Sequence, residues 1–136
     1  MNHSRVEEVL RAYAAIWSEP DAARRDALLA QSLLSDAEVI GPGFRFKGHR
    51  AISAEVERFL RHDPGSRPVF ASGYVAHHDV ARFAVAMVNR HGAVVAEGED
   101  IVEFAADGRI ARVLTFWGAL PPVPESWPPE LCVPRN

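Results

Sequence analysis

The sequence predicts an α+β fold, on the strength of two observations. Up to about residue 62 the apolar residues recur at helical spacing in three segments, whereas from Arg67 onward they recur every second residue in four runs, 67–76, 79–90, 93–104 and 109–117. Short turn sequences, His77-His78, His91-Gly92 and Asp107-Gly108, separate those runs, so they form an antiparallel meander. Helices that precede strands, rather than alternate with them, give an α+β arrangement.

The first helix starts at Ser4-Arg5-Val6-Glu7, a capping box in which the Ser4 hydroxyl accepts from the Glu7 amide and the Glu7 side chain reaches back to the Ser4 amide. Val6, Val9, Leu10, Tyr13, Ile16 and Trp17 form its apolar stripe, which ends before Pro20. Asp21 caps a second helix carrying Ala22, Leu28, Leu29 and Leu33. A short strand over 37–40 stops at Gly41-Pro42-Gly43, and Phe44-Arg45-Phe46 is another. Gly48 precedes a third helix with Ile52, Val56, Phe59 and Leu60 on one side, closed by His62-Asp63-Pro64-Gly65. Residues 1–120 are expected to form a single domain and 121–136 an extended arm, because six of the last sixteen residues are prolines. Trp127, Leu131 and Val133 are expected to dock that arm on the body or on a partner subunit.

Composition narrows the function classes. A hydrophobic share of 48% with 24% charged residues is that of an ordinary globular domain of 136 residues, and no apolar run is long enough to span a bilayer. Net charge is -3 with both signs interspersed, which gives neither nucleic acid nor an anionic membrane an electrostatic footprint. The charged N-terminal stretch carries no signal core, so a cytoplasmic location is expected. Cys132 is the only cysteine, which excludes an internal disulfide and a cysteine-cluster metal site. His77-His78 invites a metal reading, but neighbours in a strand point to opposite faces, so the pair reads as a turn.

Residues 94–104, V-V-A-E-G-E-D-I-V-E-F, hold the informative anomaly. Alternation puts Val94, Ala96, Gly98, Asp100, Val102 and Phe104 on one side and Val95, Glu97, Glu99, Ile101 and Glu103 on the other. Asp100 therefore shares a face with valine and phenylalanine, where an ionised carboxylate is costly unless paired or protonated. On the neighbouring strands Phe83, Val85 and Met87 oppose Val80, Ala84, Ala86 and Val88, and Val113 and Trp117 oppose Leu114 and Phe116. The sheet thus has two apolar faces. Helices can cover one, and a second copy of the chain is expected to cover the outer one in a two-fold dimer, the alternative cover being the C-terminal arm.

Four motifs carry a family resemblance over residues 4–118: L-R-A-Y-A-A-I-W at 10–17, A-E-V-I-G-P at 37–42, G-H-R-A-I at 48–52 and D-I-V-E-F-A-A-D-G-R-I-A-R-V-L-T-F-W-G at 100–118. With three helices before a meander, the chain resembles the superfamily of nuclear transport factor 2, ketosteroid isomerase and the SnoaL-like polyketide cyclases. The resemblance implies a cone-shaped α+β barrel, with three N-terminal helices packed on a strongly curved, mostly antiparallel sheet that encloses a pocket. It implies that Asp100, Phe83, Val85, Met87, Val102, Phe104, Val113, Thr115 and Trp117 line that pocket. Trp17 and Phe59 are further candidates for its wall.

Ketosteroid isomerases pair a neutral aspartic acid with a tyrosine to stabilise an enolate and use a second aspartate to move the proton. Asp100 and Tyr13 match the first two, and burial would keep Asp100 protonated. The base does not carry over, because the aspartate that precedes a proline in the family is Gly41 here. Glu55, His49 and His78 are the candidate replacements, and Arg82 falls on the outer phase of its strand. Two functions follow as expectations. One is a cofactor-free, metal-free isomerase or cyclase that polarises an apolar carbonyl compound through Asp100 and Tyr13. The other is a non-catalytic module that holds a hydrophobic ligand or a protein partner.

Overall fold

The computed structural model describes residues 3–135, and three helices pack on one face of a six-stranded sheet. The helices are α1 (His3–Ile16), α2 (Ala22–Ser32) and α3 (His49–His62). The strands are β1 (Leu33–Gly41), β2 (Phe44–Lys47), β3 (Arg67–His77), β4 (Val80–Val88), β5 (Val94–Phe104) and β6 (Ile110–Trp117). No helix among the described residues is long and apolar enough to cross a membrane.

The apolar stripe of α1 is buried as predicted, from Val6 through Ile16, and Asp21 caps α2 by accepting from the Arg24 amide at 2.9 Å. Ser4 lies inside the first turn of α1 rather than ahead of it. Leu33 belongs to β1, not to the second helix. The helical ladder stops at Ser32, whose hydroxyl folds back onto the Leu28 carbonyl at 2.7 Å, and Leu33 takes extended dihedrals. Strand β1 is consequently longer than the 37–40 predicted.

Strand order is β2-β1-β6-β5-β4-β3, with the predicted meander from β3 to β6. Strand β1 pairs in parallel with β6, the one parallel ladder among the described strands. Register irregularities occur in the β1/β6, β3/β4, β4/β5 and β5/β6 ladders, and bulges of this kind bend strands and raise twist, which curls the sheet over the helices.

The ladders align the inward side chains in rows. Val39, Val113, Val102 and Ala81 form one row, all buried. Thr115, Asp100, Phe83 and Tyr74 form the next, and Trp117, Gly98, Val85 and Phe70 the one after. Gly98 has a steric reason to be glycine. A Cβ there would run into the Phe116 carbonyl oxygen and lie 3.1 Å from the Trp117 Cα, because β6 folds closely over β5. Gly98→Ala is expected to cost about 2 kcal/mol in urea unfolding, since the obstacle is backbone and cannot swing aside.

The arm departs from a wholly extended course in one way: a short 3-10 turn, Pro129–Leu131, interrupts it. Trp127, Leu131 and Val133 are exposed on the single chain and do not dock on its body. At the β3–β4 turn, His77 and His78 do not splay. His78 has φ 50°, outside strand geometry, and the two Nδ1 atoms lie 3.2 Å apart. Among the described residues no three His, Cys, Asp or Glu side chains cluster to hold a metal.

Candidate functional site

Where the curled sheet parts from the helices it leaves a cavity of about 190 Å³. An apolar cavity of ~150 Å³ accommodates benzene, so this one suits a ring-sized molecule. Tyr13 and Trp17 come to it from the first helical segment, Phe59 from α3, Phe83, Val85 and Met87 from β4, and Thr115 and Trp117 from β6. Trp17 and Phe59 meet edge to face with centroids 6.1 Å apart. Trp117 is 37% exposed and Phe70 41% exposed, so both stand at the rim.

Asp100 projects into the cavity from β5 and is 7% exposed. Its cross-strand neighbours are Phe83 on one side and Thr115 on the other. The Thr115 hydroxyl donates to Asp100 Oδ1 at 2.7 Å. Burial pushes the Asp100 carboxyl up to about 6, against the smaller opposing pull of the Thr115 hydrogen bond. An acid titrating there is largely ionised at neutral pH in the empty cavity, so added desolvation is needed to hold it protonated. Tyr13 is buried beside it. Burial first, and the Asp100 charge second, hold its hydroxyl well above the ordinary tyrosine range, while a hydrogen bond from the Trp17 indole opposes them.

Three residues expected on the wall lie elsewhere. Val102, Phe104 and Val113 are packed in the hydrophobic core beneath the cavity, because the α1 stripe fills the narrow end of the curled sheet against them. Several wall residues escaped the sequence reading. Val39, Phe44 and Phe46 come from β1 and β2, whose strands were too short to show a phase. Pro68, Val69 and Phe70 come from the edge strand β3, in the regularly paired stretch before its bulge.

Of the three candidate bases, Glu55 lines the cavity, where Arg58 binds both its carboxylate oxygens. His49 is held away at the start of α3 by the Leu33 carbonyl, 3.0 Å from its Nε2, and His78 sits at the β3–β4 turn. Arg82 is on the outer face, 3.8 Å from Glu99. The structure also accounts for Gly41. The Phe44 ring lies on its Cα, with Cε1 2.6 Å from where a Cβ would sit, and fills the space that an acidic side chain would need. Gly41→Asp alone is therefore expected to lose about 1 kcal/mol of stability, and pairing it with Phe44→Ala to recover part of that loss, as read by thermal unfolding.

A curved-sheet cone that encloses an apolar pocket with one buried acid is the class that the fold and this site define. Neither a protein-family model nor a curated protein sequence matches the chain. Solved structures do. A proposed isomerase of the SnoaL-like family from Agrobacterium tumefaciens strain C58 is 28% identical, with a TM-score of 0.78 over 85% of this chain and 99% of that one. A protein of unknown function with a cystatin-like fold from Methylobium petroleophilum PM1 is 20% identical, with a TM-score of 0.72 over 93% and 83%. A proposed polyketide cyclase from Sinorhizobium meliloti is 20% identical, with a TM-score of 0.62 over 79% and 92%. The chain has the fold of the nuclear transport factor 2-like, SnoaL-like superfamily and is similar to its members.

Proposed function

We propose that the protein takes a small apolar carbonyl compound into this cavity and acts on it as a cofactor-free isomerase or cyclase. The observation that carries the reading is Asp100, a buried carboxyl that accepts from the Thr115 hydroxyl in a mostly apolar cavity of ring size. A ligand that displaces water from the cavity desolvates Asp100 further and favours its protonated form. The carbonyl oxygen then accepts from the Asp100 carboxyl and from the Tyr13 hydroxyl, both aimed at the charge that grows there as the adjacent C–H bond weakens. Glu55 supplies the carboxylate that takes the released proton.

The test is the Asp100 titration by carbon-detected NMR with and without a substituted phenol as an enolate mimic. The expected result is a midpoint near 6 in the empty protein and above about 7 with phenol bound. An unchanged midpoint without phenol binding would overturn the reading. A non-catalytic binding module is the second reading, favoured by the Phe44 ring that takes the place of a base beside Gly41. Turnover by the purified chain would exclude it.

For the outer sheet face we propose a second copy as partner. Ile40, Leu114, Ile101, Arg82 and Val75 align in one row, apolar except for Arg82, with exposed Phe116 beside it. The pairs Arg82–Glu99, within and beside that row, and Arg112–Glu103 present both signs of charge, which a two-fold axis can set against each other. Light scattering is expected to give a dimer, and Phe116→Glu a monomer; a monomeric native chain would sink the proposal.

A further inference from the structure

A second hollow, of about 230 Å³, lies beside the cavity between α1 and β3. Glu7, Leu10 and Arg11 wall it on the helix side, and Ser72, Gly73 and Tyr74 on the strand side. Phe70 and Phe83 line both hollows. Their rings meet edge to face, with centroids 5.3 Å apart and planes at 60°, so one aromatic pair is the partition. Its two leaves are unequal. Phe83 is 5% exposed and fixed opposite Asp100 in the ladder, whereas Phe70 is at the rim and precedes the β3 bulge, where Ala71, Ser72 and Gly73 stand opposite Ala84 alone. Ser72 stitches that bulge by accepting from the Ala84 amide at 2.8 Å and donating to the Gly73 carbonyl at 2.7 Å. The bulge is thus built and held, and the Phe70 ring stands at the rim beside it.

The two compartments differ in chemistry. The first is mostly apolar, its polar walls being Asp100, Tyr13, Thr115 and Glu55, and the second offers a carboxylate, a guanidinium, a hydroxyl and a phenol. The Glu7 charge lies close enough to Tyr74 to help hold its hydroxyl up, after burial, while Arg11 makes no ion pair or hydrogen bond among the described residues. We propose that the two hollows are compartments of one site for an elongated ligand, whose ring sits at Asp100 and whose carboxylate-ended tail passes Phe70 to reach Arg11. This rests on the reading of Asp100 as the head-group site. From β5 to β3 is two strand spacings, roughly 10 Å, which a hexyl-length tail spans.

The test uses the full chain and three probes, para-ethylphenol, para-hexylphenol and ω-(para-hydroxyphenyl)hexanoate, with affinities read by NMR titration. The hexanoate is expected to bind about fivefold more tightly than the hexylphenol, the gain of an accessible ion pair, and the ratio to fall to about one in Arg11→Gln. Phe70→Ala is expected to speed exchange of the tailed probes more than that of ethylphenol. Ethylphenol binding with no gain from either tail would overturn this inference and leave the head-group reading standing. Equal affinity for hexylphenol and hexanoate would remove Arg11 from the site. Failure of all three phenols to bind would overturn the head-group reading and this inference with it.

Discussion

Asp100→Asn is expected to stabilise the protein at about pH 8, by about 3 kcal/mol, and to leave it nearly unchanged below about pH 4. In the unfolded chain an aspartate titrates near ~3.9, whereas Asp100 in the folded protein titrates at about 6. Below both values each state holds the proton and burial of a neutral carboxyl costs little. As pH rises the unfolded chain ionises first, so folding has to take up a proton, and the folded state loses ground until pH passes 6. A raised carboxyl pKa therefore gives a contribution that is present in acid and lost toward neutrality. Asparagine keeps an acceptor for the Thr115 hydroxyl and removes the buried charge. Urea unfolding of both proteins across that range decides the matter: a gain that does not grow with pH would mean that Asp100 is not desolvated as described. At this residue the proposed catalysis and stability would pull in opposite directions.

Arg25→Ala is expected to cost about 4 kcal/mol, more than any other single change considered. Arg25 is fully buried in α2. Its Nε donates to Ser53 Oγ at 2.8 Å, Nη1 to the Glu19 carbonyl at 2.8 Å, and Nη2 to Glu57 Oε1 at 2.6 Å. One side chain thereby ties α2 to α3 and to the turn after α1. Alanine leaves a void and two part-buried acceptors without their donor, while Glu57, half exposed, can turn to water. Arg25→Met fills the void and is expected to lose only about half as much. Equal losses for the two variants, measured by denaturant unfolding, would show that charge and not volume sets the cost.

Much of the architecture was legible because alternation along β4, β5 and β6 is clean. It located the meander, the buried phase of Asp100 and the wall residues Phe83, Val85 and Met87. Leu33 was misread because Leu28, Leu29 and Leu33 fit a helical stripe as well as a strand, and only the tertiary pairing of Leu33 with Ile110 decides between them. The parallel β1–β6 ladder joins segments that share no local pattern. Arg25 was invisible for a related reason. An Arg-Arg pair in a helix reads as a solvated face, and its partners Ser53 and Glu57 become partners only once α3 folds alongside. At the candidate site the acid could be seen and its partner could not. Thr115 meets Asp100 through cross-strand register, which depends on irregularities that sequence alternation does not encode.

The rows of the sheet also bear on how this protein could change over time. The row of Val39, Val113, Val102 and Ala81 is buried and carries cohesion, while the rows beginning at Asp100 and at Gly98 open into the cavity. Substitutions at Val85, Met87 or Phe46 alter the shape of a void that already exists, so each removes less packing than the same change one row deeper. Gly98 and Asp100 apart, the scaffold thus separates the positions that hold it together from those that shape the cavity. A library confined to the latter would sample new ligands while most of its members still fold.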